Sequence, residues 1–150
     1  MHQHFTRTTT ALALGLTLLS AQAQTATDPL LAAAKEPGAV TTASGLVYRS
    51  LAEGTGASPT ASDRVKVHYK GTFPDGREFD SSYKRGTPIE FPLSGVIPCW
   101  TEGVQKMKVG SKAKLTCPAS IAYGSRGAGG VIPPNATLQF EVELLGINGK

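Results

Sequence analysis

Between residues 79 and 140 the chain sets Phe79-Asp80, Val96-Ile97, Trp100, Tyr123, Val131-Ile132 and Phe140, aromatic and branched residues scattered around one ionisable side chain. No reactive group accompanies them. His68, the one histidine after residue 23, falls on the polar face of an alternating run. It has no evident Ser or Cys partner for a triad. One histidine and two separated cysteines do not make a zinc site, so neither metal nor cofactor is expected. The loop from Gly124 to Gly130 runs into Val131-Ile132-Pro133-Pro134. Pro-Pro does not open a phosphate-cradling helix, so this reads as a flexible surface loop. What remains is an apolar cup holding Asp80. Such a cup suits chemistry done by a surface: rotation about the peptide bond before proline.

Not every apolar residue in that stretch belongs to the cup. Phe91, Val104, Leu115, Leu138 and Val142 read as ordinary core. Tyr69, Tyr123 and Trp100 differ, because each carries a polar handle that a dry core would waste. A buried Asp80 needs a partner, which Tyr69 or Arg85 could supply. Phe79 and Asp80 are adjacent, so in a regular strand they would point to opposite faces unless the strand ends there.

The elements that must position these groups are mostly strands. Arg64 to Lys70 alternates strictly, with Val65, Val67 and Tyr69 on one face. Pro74-Asp75-Gly76 is a turn, and Arg77 to Asp80 returns from it. Further strands are expected at Leu46–Leu51, around Ile89-Glu90-Phe91, at Lys112–Cys117 and at Thr137–Leu145. Pro98 opens a short helix with Trp100, Val104 and Met107 on one face. The fold class is therefore α+β, a half-buried antiparallel sheet with one short helix across its apolar face.

Composition sets the frame. With 150 residues, 40% hydrophobic, the chain suffices for one compact domain. Residues 1–23 read as a secretory signal peptide: Arg7, the apolar run from Ala11 to Leu19, then Ser20-Ala21-Gln22-Ala23 as a cleavage pattern. The run falls far short of the ~20 apolar residues of a spanning helix, so stable membrane insertion is not expected. Its removal takes away Arg7 alone among charged residues and leaves 14 basic against 11 acidic, a net of +3. Those basic residues are spread out, which argues against nucleic acid. Residues 24–44 read as a linker, with Asp28-Pro29 capping a short helix that Glu36-Pro37-Gly38 stops. The domain proper is expected over 45–150. In an oxidising compartment Cys99 and Cys117 could form one disulfide closing a loop of about 18 residues; two buried thiols are the other reading.

Several motifs carry a family resemblance: Val67-His68-Tyr69-Lys70-Gly71, Phe79-Asp80-Ser81-Ser82, Val96-Ile97-Pro98-Cys99-Trp100, Gly103-Val104-Gln105-Lys106-Met107, Ile121-Ala122-Tyr123-Gly124 and the run from Ile132 to Phe140. In this order they resemble the FKBP-type peptidyl-prolyl cis-trans isomerases, over about residues 45 to 147. Thr41 to Leu46 is similar to the lead-in of exported bacterial members of the macrophage-infectivity-potentiator type. Only Gln24 to Ser44 precedes the domain here, so their long dimerisation arm is expected to be missing and the protein to be a monomer.

The resemblance implies a strongly curved antiparallel sheet wrapped on one short helix, with the pocket between them. Trp100 would be its floor, and Tyr69, Phe79, Ile89, Val96, Ile97, Tyr123, Ile132 and Phe140 its lining. It casts Asp80, Tyr123 and Phe79 as catalytic, Arg85 as a further binding residue, and the Ile97 N–H as a donor. Proline-containing polypeptides would be substrates and macrolides of the FK506 type inhibitors. The rim departs from single-domain eukaryotic members: Gly95 stands where those have an acidic residue, Ile89 an aromatic and Ala128 a histidine. An exported, periplasmic isomerase for folding proteins is the expectation. The alternative is a chaperone or binding module that uses the same pocket with little catalysis.

Overall fold

The computed structural model describes residues 28–150. The expected signal peptide lies outside the described residues. Asp28 caps helix α1 (Pro29–Ala34) by accepting the Leu30 N–H at 2.9 Å, with Pro29 at the first helical position. There follow β1 (Val40–Thr41), β2 (Val47–Ala52), β3 (Arg64–Thr72), β4 (Glu78–Ser81), the single-turn helix α2 (Ser82–Arg85), β5 (Ile89–Pro92), α3 (Pro98–Gln105), β6 (Lys112–Cys117) and β7 (Leu138–Ile147). The α+β class holds, with the expected short helix α1 ahead of the domain and α2 as an addition to the expected elements. Among the described residues no helix is long and apolar enough to cross a membrane.

All seven strands join one antiparallel sheet in the order β1-β2-β6-β7-β3-β4. The far edge of β3 is shared: β5 pairs with Arg64–Val67 and β4 with Lys70–Thr72. Helix α2 makes the turn between them, opened by Ser81, whose hydroxyl accepts the Lys84 N–H, and closed by Gly86 in the left-handed region. Alternation decides what faces in. Val65, Val67 and Tyr69 of β3 and Leu138, Phe140, Val142 and Leu144 of β7 are all buried. Trp100 and Val104 of α3 pack on that face, and Met107 follows just past the helix end. Contact there is close, since a Cβ on Gly103 would come within 2.8 Å of the Leu115 methyls. Register breaks place an extra residue in β2, β4 and β7, bulges that bend strands and so favour wrapping around α3.

The stretch expected as a linker is tied down from Pro29 onward. Val40 and Thr41 pair with Tyr48 and Val47. Glu36 meets Lys114 at 2.6 Å and Arg49 at 3.0 Å. The Lys114 hydrogen bond foremost, against the opposing effect of burial, holds the Glu36 carboxyl below its ordinary range. Glu102 of α3 accepts from both Thr42 (2.9 Å) and Ser44. Cys99 of α3 and Cys117 at the end of β6 are joined as a disulfide, their Cα atoms 5.9 Å apart and both side chains fully buried.

Candidate active site

Between α3, the inner face of the sheet and the loop after β6 lies a cavity of about 620 Å³. That falls within the roughly 300–1,000 Å³ typical of small-ligand sites. Trp100 is its floor. The indole sits edge-on to Tyr69 (5.1 Å between centroids, 79°) and Phe140 (5.2 Å, 88°) and tilts against Phe91 (5.5 Å). Phe79 stands edge-on to Phe140 at 5.6 Å and is backed by Phe73. Such edge-to-face contacts contribute about 0.5–1.5 kcal/mol each beyond burial and hold the rings at fixed angles.

A bulge sets the wall that carries Asp80. Gly71 pairs with Asp80 and Thr72 with Glu78, leaving Phe79 unopposed. The extra residue breaks the strand's alternation, so Phe79 and Asp80 both reach the cavity instead of facing opposite ways. Both proposed partners of Asp80 engage it. Tyr69 donates its hydroxyl to one carboxylate oxygen. Arg85 Nη1 donates to the other at 2.5 Å, and the Ser81 N–H donates to the same oxygen at 2.9 Å. Arg85 Nη2 closes the triangle by donating to the Tyr69 oxygen at 3.0 Å. Burial works against ionisation of Asp80, but the Tyr69 and Arg85 hydrogen bonds outweigh it and lower its pKa below 3.8. Burial first, then the carboxylate, push the Tyr69 phenol up.

Two donors at the edge of the cavity are open to a ligand. Neither the Tyr123 hydroxyl nor the Ile97 N–H makes a hydrogen bond among the described residues. Tyr123 is 40% exposed, at the mouth. Ile97 is the residue before Pro98, where the helix begins without a side-chain cap. A ligand carbonyl could accept from either.

The structure brings Tyr69, Phe79, Asp80, Ile89, Val96, Ile97, Trp100, Tyr123 and Phe140 to this one cavity. Two expected members stand elsewhere. Ile132 is buried in the core cluster and is not among the residues that line the cavity. Arg85 reaches the site only through Asp80 and Tyr69. Phe91, read as plain core, lines the cavity. The sign of this was in the sequence: Phe91 is two residues from Ile89 in one strand and so shares its face. Trp100 departs from expectation too, since its indole N–H is buried without a partner among the described residues. It acts through its ring face, at a desolvation cost of about 1–3 kcal/mol.

His68 is likewise not a solvated strand residue. It is half-buried, its Nδ1 lies 2.8 Å from the Ser82 hydroxyl, and its ring stacks on Tyr83 at 4.5 Å. This pair is no nucleophile and base. The Ser82 hydroxyl is fully buried and also accepts the Tyr69 N–H at 2.7 Å, which brackets β3 to α2. Among the described residues there is no cluster able to hold a metal ion.

Comparison with known proteins gives the family. Residues 56–145 match the family model described as FKBP-type peptidyl-prolyl cis-trans isomerase. The FKBP-type peptidyl-prolyl cis-trans isomerase FkpA of Aeromonas hydrophila is 58% identical over 118 residues, covering 79% of this chain and 44% of that protein. The FKBP-type 22 kDa peptidyl-prolyl cis-trans isomerase of Escherichia coli is 56% identical over 114 residues, covering 76% and 55%. The chain thus spans about half the length of these curated relatives. The crystal structure of FkpA from Escherichia coli superposes with a TM-score of 0.77 at 51% identity, covering 79% of this chain and 55% of that one.

Proposed function

Because the chain belongs to the FKBP-type peptidyl-prolyl cis-trans isomerases, we propose that it accelerates rotation about Xaa-Pro bonds of polypeptides by stabilising the twisted amide without a covalent step. The observation that carries this is the aromatic cavity over Trp100 with the fully engaged Asp80 carboxylate in its wall. Rotation about an amide faces a barrier of about 18–20 kcal/mol, because twisting breaks the resonance that puts negative charge on oxygen and positive charge on nitrogen. Water favours the charge-separated planar form; an apolar cup does not. The cavity therefore binds the twisted form better than the planar one, which is what lowers a barrier. Asp80 adds to this. The amide oxygen sheds negative charge on twisting, so an anion in the wall disfavours the planar state. Tyr69 and Arg85 keep that anion in place. Tyr123 and the Ile97 N–H hold the substrate's carbonyls while the bond between them turns. Each tenfold in rate needs about 1.4 kcal/mol, so a few such effects suffice.

The same reading places the protein outside the cytoplasm, in the periplasm, where unaided Xaa-Pro isomerisation takes tens of seconds and slows folding. The leader pattern of residues 1–23 and the Cys99–Cys117 disulfide support export to an oxidising compartment. Macrolides of the FK506 type are the expected class of small-molecule ligand. NMR exchange spectroscopy on short Xaa-Pro peptides tests the proposal: the wild-type protein should catalyse exchange, and Asp80→Ala with Tyr123→Phe should abolish or strongly reduce it. Unchanged catalysis in that double variant would overturn the site assignment. Equal help to the refolding of proline-free clients would instead favour a chaperone using the same cavity.

A further inference from the structure

A second depression adjoins the cavity beyond Val96, a shallow groove of about 470 Å³. Val96 lines both. Ile97 faces the cavity and Pro98 the groove, so Val96-Ile97-Pro98 is the ridge between them. Most of the groove's polar side chains are already committed; the exception is the exposed Ser94, whose hydroxyl makes no hydrogen bond among the described residues. Thr101 Oγ1 donates to the Leu93 carbonyl at 2.8 Å, and the Gln105 amide donates to the Thr101 carbonyl at 2.7 Å. Glu102 accepts from Thr42 and Ser44. The surface left to a ligand is mainly the apolar Val96, Pro98 and Ile121.

We propose that this groove binds an apolar side chain of the same polypeptide whose proline occupies the cavity, two or three residues along the chain from that proline. The inference rests on the isomerase reading. A bound chain is long and must leave the cavity somewhere. The ridge offers a polar anchor on that route, the Ile97 N–H, which makes no hydrogen bond among the described residues. A carbonyl of the departing chain accepts from it. An extended chain advances about 3.3 Å per residue and alternates its side chains. Two or three residues therefore carry it over the ridge and turn a side chain down beside Ile121 and Pro98. With most of the groove's own polar groups satisfied internally and only Ser94 at its exposed end left over, an apolar group loses less by entering than a polar one, which would be desolvated largely without a partner. Ser44 lies before residue 56, outside the span of the family match, and Glu102 holds it in the groove wall. This subsite is thus partly built by the segment that leads into the shared domain.

The test compares one Ala-Pro peptide flanked by serines with versions carrying leucine two or three residues before or after the proline. Exchange rates and peptide-induced amide shifts are both recorded on the full chain. The leucine should raise kcat/KM about tenfold on one side of the proline, roughly half the gain of burying that side chain fully. It should also shift the amides of Ser94, Gln105 and Ile121. Ser94→Lys and Gln105→Arg, which put charge and bulk into the groove, should each bring the leucine-to-serine ratio toward one. The ratio is read within each variant, so a general loss of activity does not mimic the result. Catalysis with no leucine preference, or a preference that survives both substitutions, overturns the groove and leaves the isomerase reading standing. Amide shifts in the groove without any catalysis overturn the isomerase reading instead.

Discussion

A Cβ on Gly71 would lie 2.6 Å from Cζ of Phe79 and 3.1 Å from Cε1 of Phe140. The missing side chain at Gly71 is thus what lets the bulged Phe79 ring lie over β3 and form the cavity wall. Gly71→Ala should force Phe79 out of place at a cost of about 1–3 kcal/mol. Urea unfolding reads the stability loss and peptide exchange reads the activity, which should fall about tenfold or more. Full activity in this variant would mean that the position of Phe79 is immaterial.

Asp80 and Arg85 are both substantially exposed, with side chains 39% and 48% accessible, so their ion pair contributes little to stability. Its effect should appear in catalysis. Asp80→Asn should lower kcat/KM about tenfold while the urea midpoint barely moves. The pH dependence follows from the lowered pKa. Asp80 is ionised above 3.8 in the unfolded chain and to still lower pH in the folded one, so its stabilising effect is present above 3.8 and is lost as pH falls through the lower folded value. The acid limb of the activity profile should therefore lie below 3.8. A break near neutral pH that disappears in Asp80→Asn would contradict this.

How much of this was legible beforehand follows from what each residue answers to. The inward faces of β3 and β7 were readable because alternation with a period of two is a local rule, obeyed from Val65 to Tyr69 and from Leu138 to Leu144. The joint orientation of Phe79 and Asp80 was not, because a bulge depends on register with a partner strand and leaves no local mark. Phe91 was misjudged for a related reason: core and cavity wall share one apolar face, and only the position of α3 says where packing stops. His68 looked solvated because its partners, Ser82 and Tyr83, come from a helical turn folded back over β3. The disulfide needed the third dimension as well, since spacing alone cannot tell whether two Cβ atoms approach.

Trp100 is the only tryptophan in the chain and is 5% exposed, so its fluorescence reports on the cavity floor. Titration with an Xaa-Pro peptide should change the emission, because a proline ring seated on the indole replaces water there. The same peptide with alanine for proline should leave it nearly unchanged. Trp100→Phe should keep the fold and weaken peptide binding several-fold. Emission indifferent to saturating peptide would remove Trp100 from the floor.

The disulfide joins the two walls that must keep their distance. Cys99 immediately precedes Trp100 and lies two residues from Ile97, all around the first turn of α3. Cys117 ends β6, and the chain then runs through a short turn at Ala119–Ile121 to Tyr123 at the mouth. A sequence separation of 18 implies a contribution of about 3 kcal/mol to stability. Both sulfurs are buried, so reduction requires local opening and should be slow in buffer and fast in mild denaturant. Once the link is gone, the floor and the mouth are positioned by packing alone. The double variant Cys99→Ala, Cys117→Ala should therefore unfold at lower urea, and its KM should rise more than its kcat falls, because the walls meet the substrate less well while the groups that act on the amide are unchanged. A variant with lowered stability and an unaltered KM would assign the disulfide to the fold alone.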